Sequence, residues 1–290
     1  MIYAILTLGV LAASSAAVLI RMCDAPPLVI AAYRLGIASL LLLPIAGLKC
    51  RDEIKAIAGR DKVALLLSGF FLGLHFALWI TSLSHTSVAS SVLLVTTSPI
   101  FLGLGGRLIL RESIDSQTGI GIVTSMIGTG VVTLADWGRG DHAFSGDLMA
   151  LGGALAISGH LMIGRSQRQR LGLLAYITVV NTTAAISLVA MALALGYDLL
   201  GYDKGTYVLF VCLALGPQLL GHTSFNYSLK RVQPVVVALV LLAEPIGSAV
   251  LAYVVLGEAP GPSLVLGGAV ILCGIGLAVW PRRSGSTQKA

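Results

Sequence analysis

The chain has 290 residues, of which 56% are hydrophobic and only 11% are charged. Charged residues make up about a quarter of a typical soluble domain, so this composition excludes a soluble globular protein. The net charge of +6 comes without a basic patch interleaved with aromatic residues, which excludes a nucleic-acid partner. The four cysteines show no ligand spacing, so we expect no disulfide framework, no metal site and no cofactor.

Long apolar runs follow one another along the chain, each near the length of about 20 residues that a membrane-spanning helix needs. We predict ten spans, at residues 2–20, 28–48, 63–83, 86–106, 117–136, 147–164, 172–196, 206–229, 234–255 and 263–281. The connections are short except for 49–62, where we expect a small interfacial helix, and the turn around 137–146. No basic segment precedes the first span, so we expect it to be retained and not cleaved as a signal peptide.

The second half of the sequence repeats the first. A shift of roughly 146 residues superimposes the halves without a gap, and many matched residues are Pro or Gly, whose backbone geometry is the most constrained. The matched pairs are Ser82/Ser228, Leu83/Leu229, Pro99/Pro245, Ile100/Ile246, Glu112/Glu258, Gly121/Gly267, Gly128/Gly274 and Gly130/Gly276. We therefore predict two five-helix repeats, 1–141 and 142–290. Internal duplication of this kind is typical of transporters, whose binding site lies between the repeats.

Charge in the connections predicts the orientation of the repeats. Apart from Arg34, fifteen Lys and Arg residues fall in one alternate set of connections and three in the other. The positive-inside rule then places both termini in the cytoplasm. The connection at 84–88 carries no Lys or Arg, whereas its mate at 230–234 carries two, so equivalent positions lie on opposite sides. The predicted fold is an all-α integral membrane protein, with ten transmembrane helices arranged as an inverted 5+5 repeat around a central cavity.

Two short motifs connect the chain with a known family. Thr97-Ser98-Pro99-Ile100 is followed by Arg111-Glu112, and Ala243-Glu244-Pro245-Ile246 is followed by Gly257-Glu258. This pattern resembles the EamA-type modules of the drug/metabolite transporter superfamily, and most of all its bacterial amino-acid and metabolite exporters, including the aromatic-amino-acid type. The resemblance implies alternating access around a central cavity lined mainly by the first, third, fourth, sixth, eighth and ninth helices.

Hydroxyl groups recur along the predicted fourth span at helical spacing. Ser87, Ser90, Ser91, Thr97 and Ser98 gather on one helix face. Such a stripe can line a cavity. Alternatively it can allow tight packing, because a hydroxyl can bond to a carbonyl one turn back and small residues let helices approach closely.

The third and eighth spans each carry a polar and aromatic face. His75, Trp79 and Ser82 lie at i, i+4 and i+7, and Gln218, His222 and Asn226 follow at steps of four. Polar groups inside a membrane usually face the bundle interior or a water-filled cavity. An imidazole beside an aromatic wall suits a zwitterionic or aromatic solute. The alternative is that these histidines form ordinary hydrogen bonds between helices.

Single ionisable residues inside the other spans leave further alternatives open. Glu244 could carry a proton, bind a substrate amine, or brace the kink expected at Pro245. His160, on the sixth span, could line the cavity or pack as an ordinary core residue. We expect Arg34 to snorkel outward or to pair with Asp24. Glu112 and Glu258 fall at predicted helix ends, where we expect them to be solvated or paired.

The sequence thus predicts a secondary transporter of the bacterial inner membrane that exports small amino acids or related metabolites. Its expected partners are a small solute and the lipid bilayer, and the oligomeric state is left open. Efflux of cationic drugs is the main alternative, ahead of a channel or an intramembrane enzyme. The chain contains no phosphate-binding loop and no H-E-x-x-H pair, so we expect neither an ATPase nor a zinc protease. The predicted substrate-binding residues are His75, Trp79, Ser91, Ser98, His160, His222, Asn226 and Glu244.

Overall fold

A computed structural model describes residues 1–85, 91, 94–95, 97–110, 114–134, 143–257 and 261–279 of the chain, and this part is helical without strands. Its helices are α1 Ile2–Met22, α2 Pro27–Lys49, α3 Arg51–Lys55, α4 Gly59–Ser82, α5 Ser98–Gly105, α6 Ser116–Leu134, α7 Ala143–Gln167, α8 Leu173–Ala194, α9 Lys204–Ser228, α10 Pro234–Leu241, α11 Glu244–Leu256 and α12 Pro262–Val279. The predicted residues Ser87, Ser90, Glu112 and Glu258 lie outside the described part.

Seven helical stretches are long and apolar enough to cross a bilayer, so the chain is a multi-pass membrane protein. They are α1, α2, α4, Phe144–Gln167 of α7, α8, α9 and Pro234–Val255, the last of which runs through α10 and α11. Shorter apolar helices cover Ser98–Ile109 and Val265–Ala278. The helix expected within 49–62 is the five-residue α3.

Proline and glycine interrupt the regular geometry of two spans. In α9 the backbone is π-helical over Ala214–His222, and this segment contains Gly216 and Pro217. A proline removes a helical donor, so this irregularity has a local cause. The ninth predicted span breaks at Leu242 and Ala243, and α11 begins directly after them at Glu244, with Pro245 in its first turn. Proline is tolerated in a first turn because its missing N–H would have no helical partner there.

The large helices pack into one hydrophobic core. α4 lies against α7 and α8, α2 lies against α8, and α1 lies against α9 and α11. The largest buried side chains of this core include Phe76, Tyr176, Phe210 and Phe225. At the α4–α8 contact, a Cβ atom on Gly69 would lie only 2.7 Å from the carbonyl oxygen of Val180, so this close approach requires glycine.

α6 and α12 form a separate close pair. A Cβ atom added to Gly121 would lie 2.7 Å from the carbonyl oxygen of Gly274, and one added to Gly128 would lie 2.7 Å from that of Gly267. Between them, Ser125 Oγ donates to the carbonyl of Ile271 over 3.3 Å. Low numbers on α6 therefore face high numbers on α12, which means that the two helices cross in antiparallel directions. Small residues allow their backbones to touch.

Candidate functional site

Five rings from α4 and α9 form one continuous series of contacts, which we call the ring chain: Trp79, His75, Phe76, His222 and Phe225. The His75 ring stacks on Trp79 with centroids 5.9 Å apart, and it meets Phe76 edge-on at 5.0 Å. Phe76 in turn meets His222 at 5.2 Å, and His222 meets Phe225 at 5.6 Å. These separations are typical of favourable aromatic pairs. The structure thus brings together three of the predicted residues, which the sequence placed on two separate helices.

A hydrogen bond fixes the orientation of the first imidazole in the ring chain. Nδ1 of His75 lies 3.0 Å from the carbonyl oxygen of Gly153 on α7. A carbonyl can only accept, so Nδ1 carries the proton and Nε2 of the neutral ring is left as an acceptor. α4 and α7 pack closely here, and a Cβ atom added to Gly153 would lie 3.5 Å from the Trp79 nitrogen, an ordinary van der Waals distance. The His75 ring is therefore held rigidly, with one polar atom still available.

Arg34 on α2 contradicts its sequence prediction, because it neither snorkels nor pairs with Asp24. The side chain is 1% exposed, and its Nε donates to Oε1 of Gln218 over 3.0 Å. Gln218 in turn donates from Nε2 to Oδ1 of Asn181 over 3.2 Å. The guanidinium carbon lies 4.3 Å from the ring centroid of Phe76, a cation–π distance. Sequence analysis missed this residue, although an arginine two turns inside an apolar span is itself a signal of function.

Two buried polar atoms around the ring chain lack a hydrogen-bond partner in the described part of the chain. They are Nη1 of Arg34 and Nε1 of Trp79. Burying a polar group without a partner costs about 1–3 kcal/mol. Such groups in a native protein are therefore expected to meet water or a ligand. Both of these atoms are donors, so an acceptor group would complete their hydrogen bonds.

Glu244 begins α11 and is half-buried. Arg34 is the charged side chain that interacts with it electrostatically, although the two side chains form no hydrogen bond with each other. The main-chain carbonyl of Glu244 accepts a hydrogen bond from Ser14 Oγ on α1 over 3.2 Å. The equivalent residue in the first repeat, Ser98, has the same kind of contact: its main-chain carbonyl accepts a hydrogen bond from Ser158 Oγ on α7 over 3.3 Å. In each half, the residue before the proline is thus held by a serine from the other half.

His160 has different surroundings. Its Nδ1 lies 3.0 Å from Ser68 Oγ, which lies 2.9 Å from the Tyr176 hydroxyl, and its side chain is 1% exposed. These bonds run to α4 and α8 and not to the ring chain. Asn226 lies beside this region, and its main-chain carbonyl accepts from Arg168 Nε over 3.1 Å. The structure therefore separates the hydrogen bonds of His160 from those of the other predicted histidines.

Of the predicted serine stripe, the structure describes Ser91, Thr97 and Ser98. Ser91 is buried, and its Oγ lies 2.5 Å from that of Ser82 at the end of α4. Ser82 also donates to the carbonyl of Trp79 over 2.7 Å, so this pair connects the stripe with the ring chain. Ser98 is buried as well, with 7% exposure.

An open cavity of about 600 Å³ lies at one end of the molecule, where the α1–α2 and α8–α9 connections meet. Its lining residues are Cys23, Asp24, Ala25, Pro26, Gly196, Tyr197, Asp198, Leu200 and Tyr202. Burial, with a smaller contribution from the Asp203 carboxylate, raises the pKa of the Cys23 thiol to about 11. No sequence signal pointed to this cavity. Within the described ranges no group of three or more His, Cys, Asp or Glu side chains could hold a metal ion.

Comparison with known proteins adds independent information. The model of the EamA-like transporter family matches residues 1–134 and 144–280. An uncharacterized transporter of Bacillus subtilis, YdfC, is 26% identical over 250 residues, which cover 85% of this chain and 79% of YdfC. An uncharacterized transporter of Clostridium kluyveri is 21% identical, over 82% of this chain and 78% of its own. One crystal structure superimposes with a TM-score of 0.77 at 19% identity and covers 96% of both chains, which shows a shared fold.

Proposed function

We propose that this chain, which belongs to the EamA-like transporter family, is a secondary transporter that exports small amino acids or related metabolites by alternating access. The family and the relatives named as transporters point to transport of a small solute and not to an enzyme. The export of amino acids is our own extension of that finding. It follows from the chemistry of the buried residues around the ring chain.

The observation that carries the proposal is the ring chain together with Arg34, which contacts it, and Glu244, which interacts with Arg34. Arg34 contacts Phe76, and Glu244 interacts electrostatically with Arg34. Charges inside a membrane protein are costly, and they usually mark a binding site or an ion pathway. Groups of both signs beside aromatic rings suit a zwitterion with an apolar side chain. In this proposal His75, Trp79, His222 and Glu244 contact the solute directly.

The remaining predicted residues have a less direct place in the proposal. Asn226 acts from beside His160, whereas Ser91 bonds to Ser82 and the main-chain carbonyl of Ser98 bonds to Ser158. His160 already has partners in Ser68 and Tyr176, so we assign it the weakest contribution to binding.

We further propose that the chain forms ten membrane spans arranged as an inverted 5+5 repeat. Support comes from the α6–α12 pair, which are equivalent helices in the two halves. Gly121 approaches Gly274 and Gly128 approaches Gly267, and these four residues are two repeat pairs with exchanged partners. Reciprocal contacts of this kind are what a two-fold axis produces. The antiparallel crossing supports halves of opposite orientation, because equivalent helices would otherwise run the same way.

The proposed location is the bacterial inner membrane, with both termini in the cytoplasm. The support is the distribution of Lys and Arg between the two sets of connections. The open cavity beside Asp24 and Asp198 would then lie on the outer side, where exported solute leaves. Arg21 and Lys204 are the basic residues nearest to it along the chain.

Efflux of organic cations is a second candidate, because a half-buried carboxylate and aromatic side chains inside the bundle also suit a cation. Glu244 and Trp79 favour it, whereas the buried Arg34 opposes it by repelling a positive solute. The two candidates therefore differ in whether the solute carries an anionic group.

The test is solute flux in proteoliposomes containing the purified chain, with labelled amino acids and labelled organic cations, in the presence and absence of a pH gradient. The proposal predicts saturable flux of amino acids. Saturable flux of cations without any amino-acid flux would replace it with the second candidate. Flux that follows the pH gradient would indicate proton coupling, and flux independent of the gradient would indicate facilitated diffusion.

A further inference from the structure

We propose that Arg34 binds the carboxylate of the transported solute while Glu244 binds its ammonium group, so that the two residues select α-amino acids by both charged ends. This inference rests on the proposed function and deepens it, because it assigns a binding residue and a substrate class. The first evidence is geometric. Arg34 is almost completely buried, yet its Nη1 has no hydrogen-bond partner among the described residues.

The rest of the Arg34 side chain is held in place. Nε is committed to Gln218, Gln218 is committed to Asn181, and the guanidinium plane lies over Phe76. These contacts come from α9, α8 and α4, so three helices fix one side chain that starts on α2. An arginine whose only purpose was to connect these helices would be expected to use its terminal nitrogens as well. A guanidinium that is fixed at Nε and unpartnered at Nη1 presents a preorganised donor to an anion.

The Glu244 carboxylate does not occupy that donor. Glu244 interacts with Arg34 electrostatically, but no hydrogen bond joins the two side chains. Arg34 and Glu244 carry opposite charges but do not pair with each other. A zwitterion can supply an oppositely charged partner to each of them. Its carboxylate would take the Arg34 donor and its ammonium would take the Glu244 carboxylate. The ring chain would then contact the side chain of the amino acid.

Arg168 provides a matched comparison inside the same molecule. It is 3% exposed, but its Nε donates to the carbonyl of Asn226 and its Nη1 donates to the carbonyl of Leu171. Its donors are therefore used by the protein itself. Both side chains have little solvent exposure, although Arg34 lies within a span and Arg168 follows the end of α7. Of the two, Arg34 is the one with an unpartnered Nη1 among the described residues. Arg34→Gln and Arg168→Gln remove the same charge from two buried sites, of which only the first is proposed to bind solute.

The experiment measures ligand-induced thermal stabilisation of the purified full-length chain in detergent. Three matched probes are used: L-phenylalanine, 3-phenylpropionate, which lacks the ammonium group, and phenethylamine, which lacks the carboxylate. For Arg34→Gln we expect about 10- to 100-fold weaker binding of both carboxylate-bearing probes, the range of one charge-assisted hydrogen bond, with phenethylamine binding unweakened. Arg168→Gln is expected to melt at a lower temperature but to keep the native preference among the probes.

An Arg34→Gln variant that retains the native preference for L-phenylalanine over phenethylamine would overturn the inference. If that variant does not fold, Arg34→Lys retains the charge but loses the planar fork, and an undiminished preference there would also overturn it. Flux distinguishes this failure from failure of the proposed function. A native chain that binds L-phenylalanine through Arg34 but moves no amino acid supports the inference and contradicts export.

Discussion

The α6–α12 pair and the interior around the ring chain use opposite kinds of residue to join helices. The pair uses Gly so that backbones touch, and the buried Ser125 hydroxyl and the Gln117 amide bond across it. The interior uses rings, amides and charges, and among the described residues it leaves Arg34 Nη1 and Trp79 Nε1 without partners. Close backbone packing leaves no room for a ligand, whereas incompletely satisfied polar groups favour one. The comparison therefore assigns structural support to one region and solute binding to the other.

The largest effect is expected from Gly128→Ala in the α6–α12 pair. The new Cβ would lie 2.7 Å from both the Gly267 oxygen and the Ile271 nitrogen, which are backbone atoms that cannot rotate away. Overpacking of this kind costs about 1–3 kcal/mol. Melting temperature and the yield of monodisperse protein measure the loss. Gly130→Ala is the matched control, because its Cβ would have no atom within 4 Å, and it is expected to fold as well as the native chain.

A smaller effect, confined to transport, is expected from His222→Ala in the ring chain. The substitution removes the imidazole between Phe76 and Phe225, and we expect amino-acid flux to fall about tenfold at unchanged yield of folded protein. Trp79→Ala is expected to act in the same direction. His85→Ala removes an exposed histidine from the turn after α4 and serves as the control. Native flux in both His222→Ala and Trp79→Ala would contradict the site assignment.

Substitution beside His160 is expected to lower the stability of the fold and to leave flux unchanged, the reverse of the result expected for His222→Ala. Tyr176→Phe removes the hydroxyl that lies 2.9 Å from Ser68 Oγ and should destabilise the fold by about 1 kcal/mol. Flux per folded molecule should stay at the native value, because this hydroxyl belongs to a closed hydrogen-bond network. Tyr253→Phe, at a residue that is 56% exposed, is the stability control. A selective loss of flux in Tyr176→Phe would contradict the weak contribution to binding that we assign to His160.

The smallest effect concerns the connection before α9. Thr206 donates from both its N–H and its hydroxyl to the Asp203 carboxylate, which lowers the pKa of Asp203 below its ordinary value of 3.8. A lowered pKa in the folded state stabilises the protein above pH 3.8, and this contribution is lost as the pH falls through the folded value. Asp203→Asn retains the cap without titrating.

Melting curves of the native chain and Asp203→Asn at neutral and acid pH test this prediction. The native chain should be slightly more stable at neutral pH, and the difference should disappear as the pH falls well below 3.8. A difference that grows on acidification would show that the sign is wrong.

Much of the fold could be predicted from local patterns. The predicted span 2–20 is α1 Ile2–Met22, and 28–48 is α2 Pro27–Lys49, because a run of apolar residues of this length has few alternatives to a membrane helix. The irregularity at Pro217 was equally predictable, since a proline inside a helix removes a donor wherever the helix packs.

The candidate site was less predictable because its contacts depend on how several helices meet. Periodicity placed His75 and Trp79 on one face of one helix, but it could not show that Phe76 joins them to His222. The environment of Arg34 depends on Gln218, which lies 184 residues away in the sequence, and on Asn181, which lies 37 residues from Gln218. A snorkelling arginine and a buried one look the same in a single helix. Only packing distinguishes them.

The central claim is that the buried site binds a solute and delivers it to alternate sides of the membrane. Counterflow tests it most directly. Proteoliposomes of the native chain are loaded with unlabelled L-phenylalanine and diluted into a trace of the labelled amino acid. The account predicts that label accumulates transiently inside above its external concentration and that this accumulation saturates. A channel would allow both to equilibrate without accumulation, and that result, or no entry of label at all, would contradict the account.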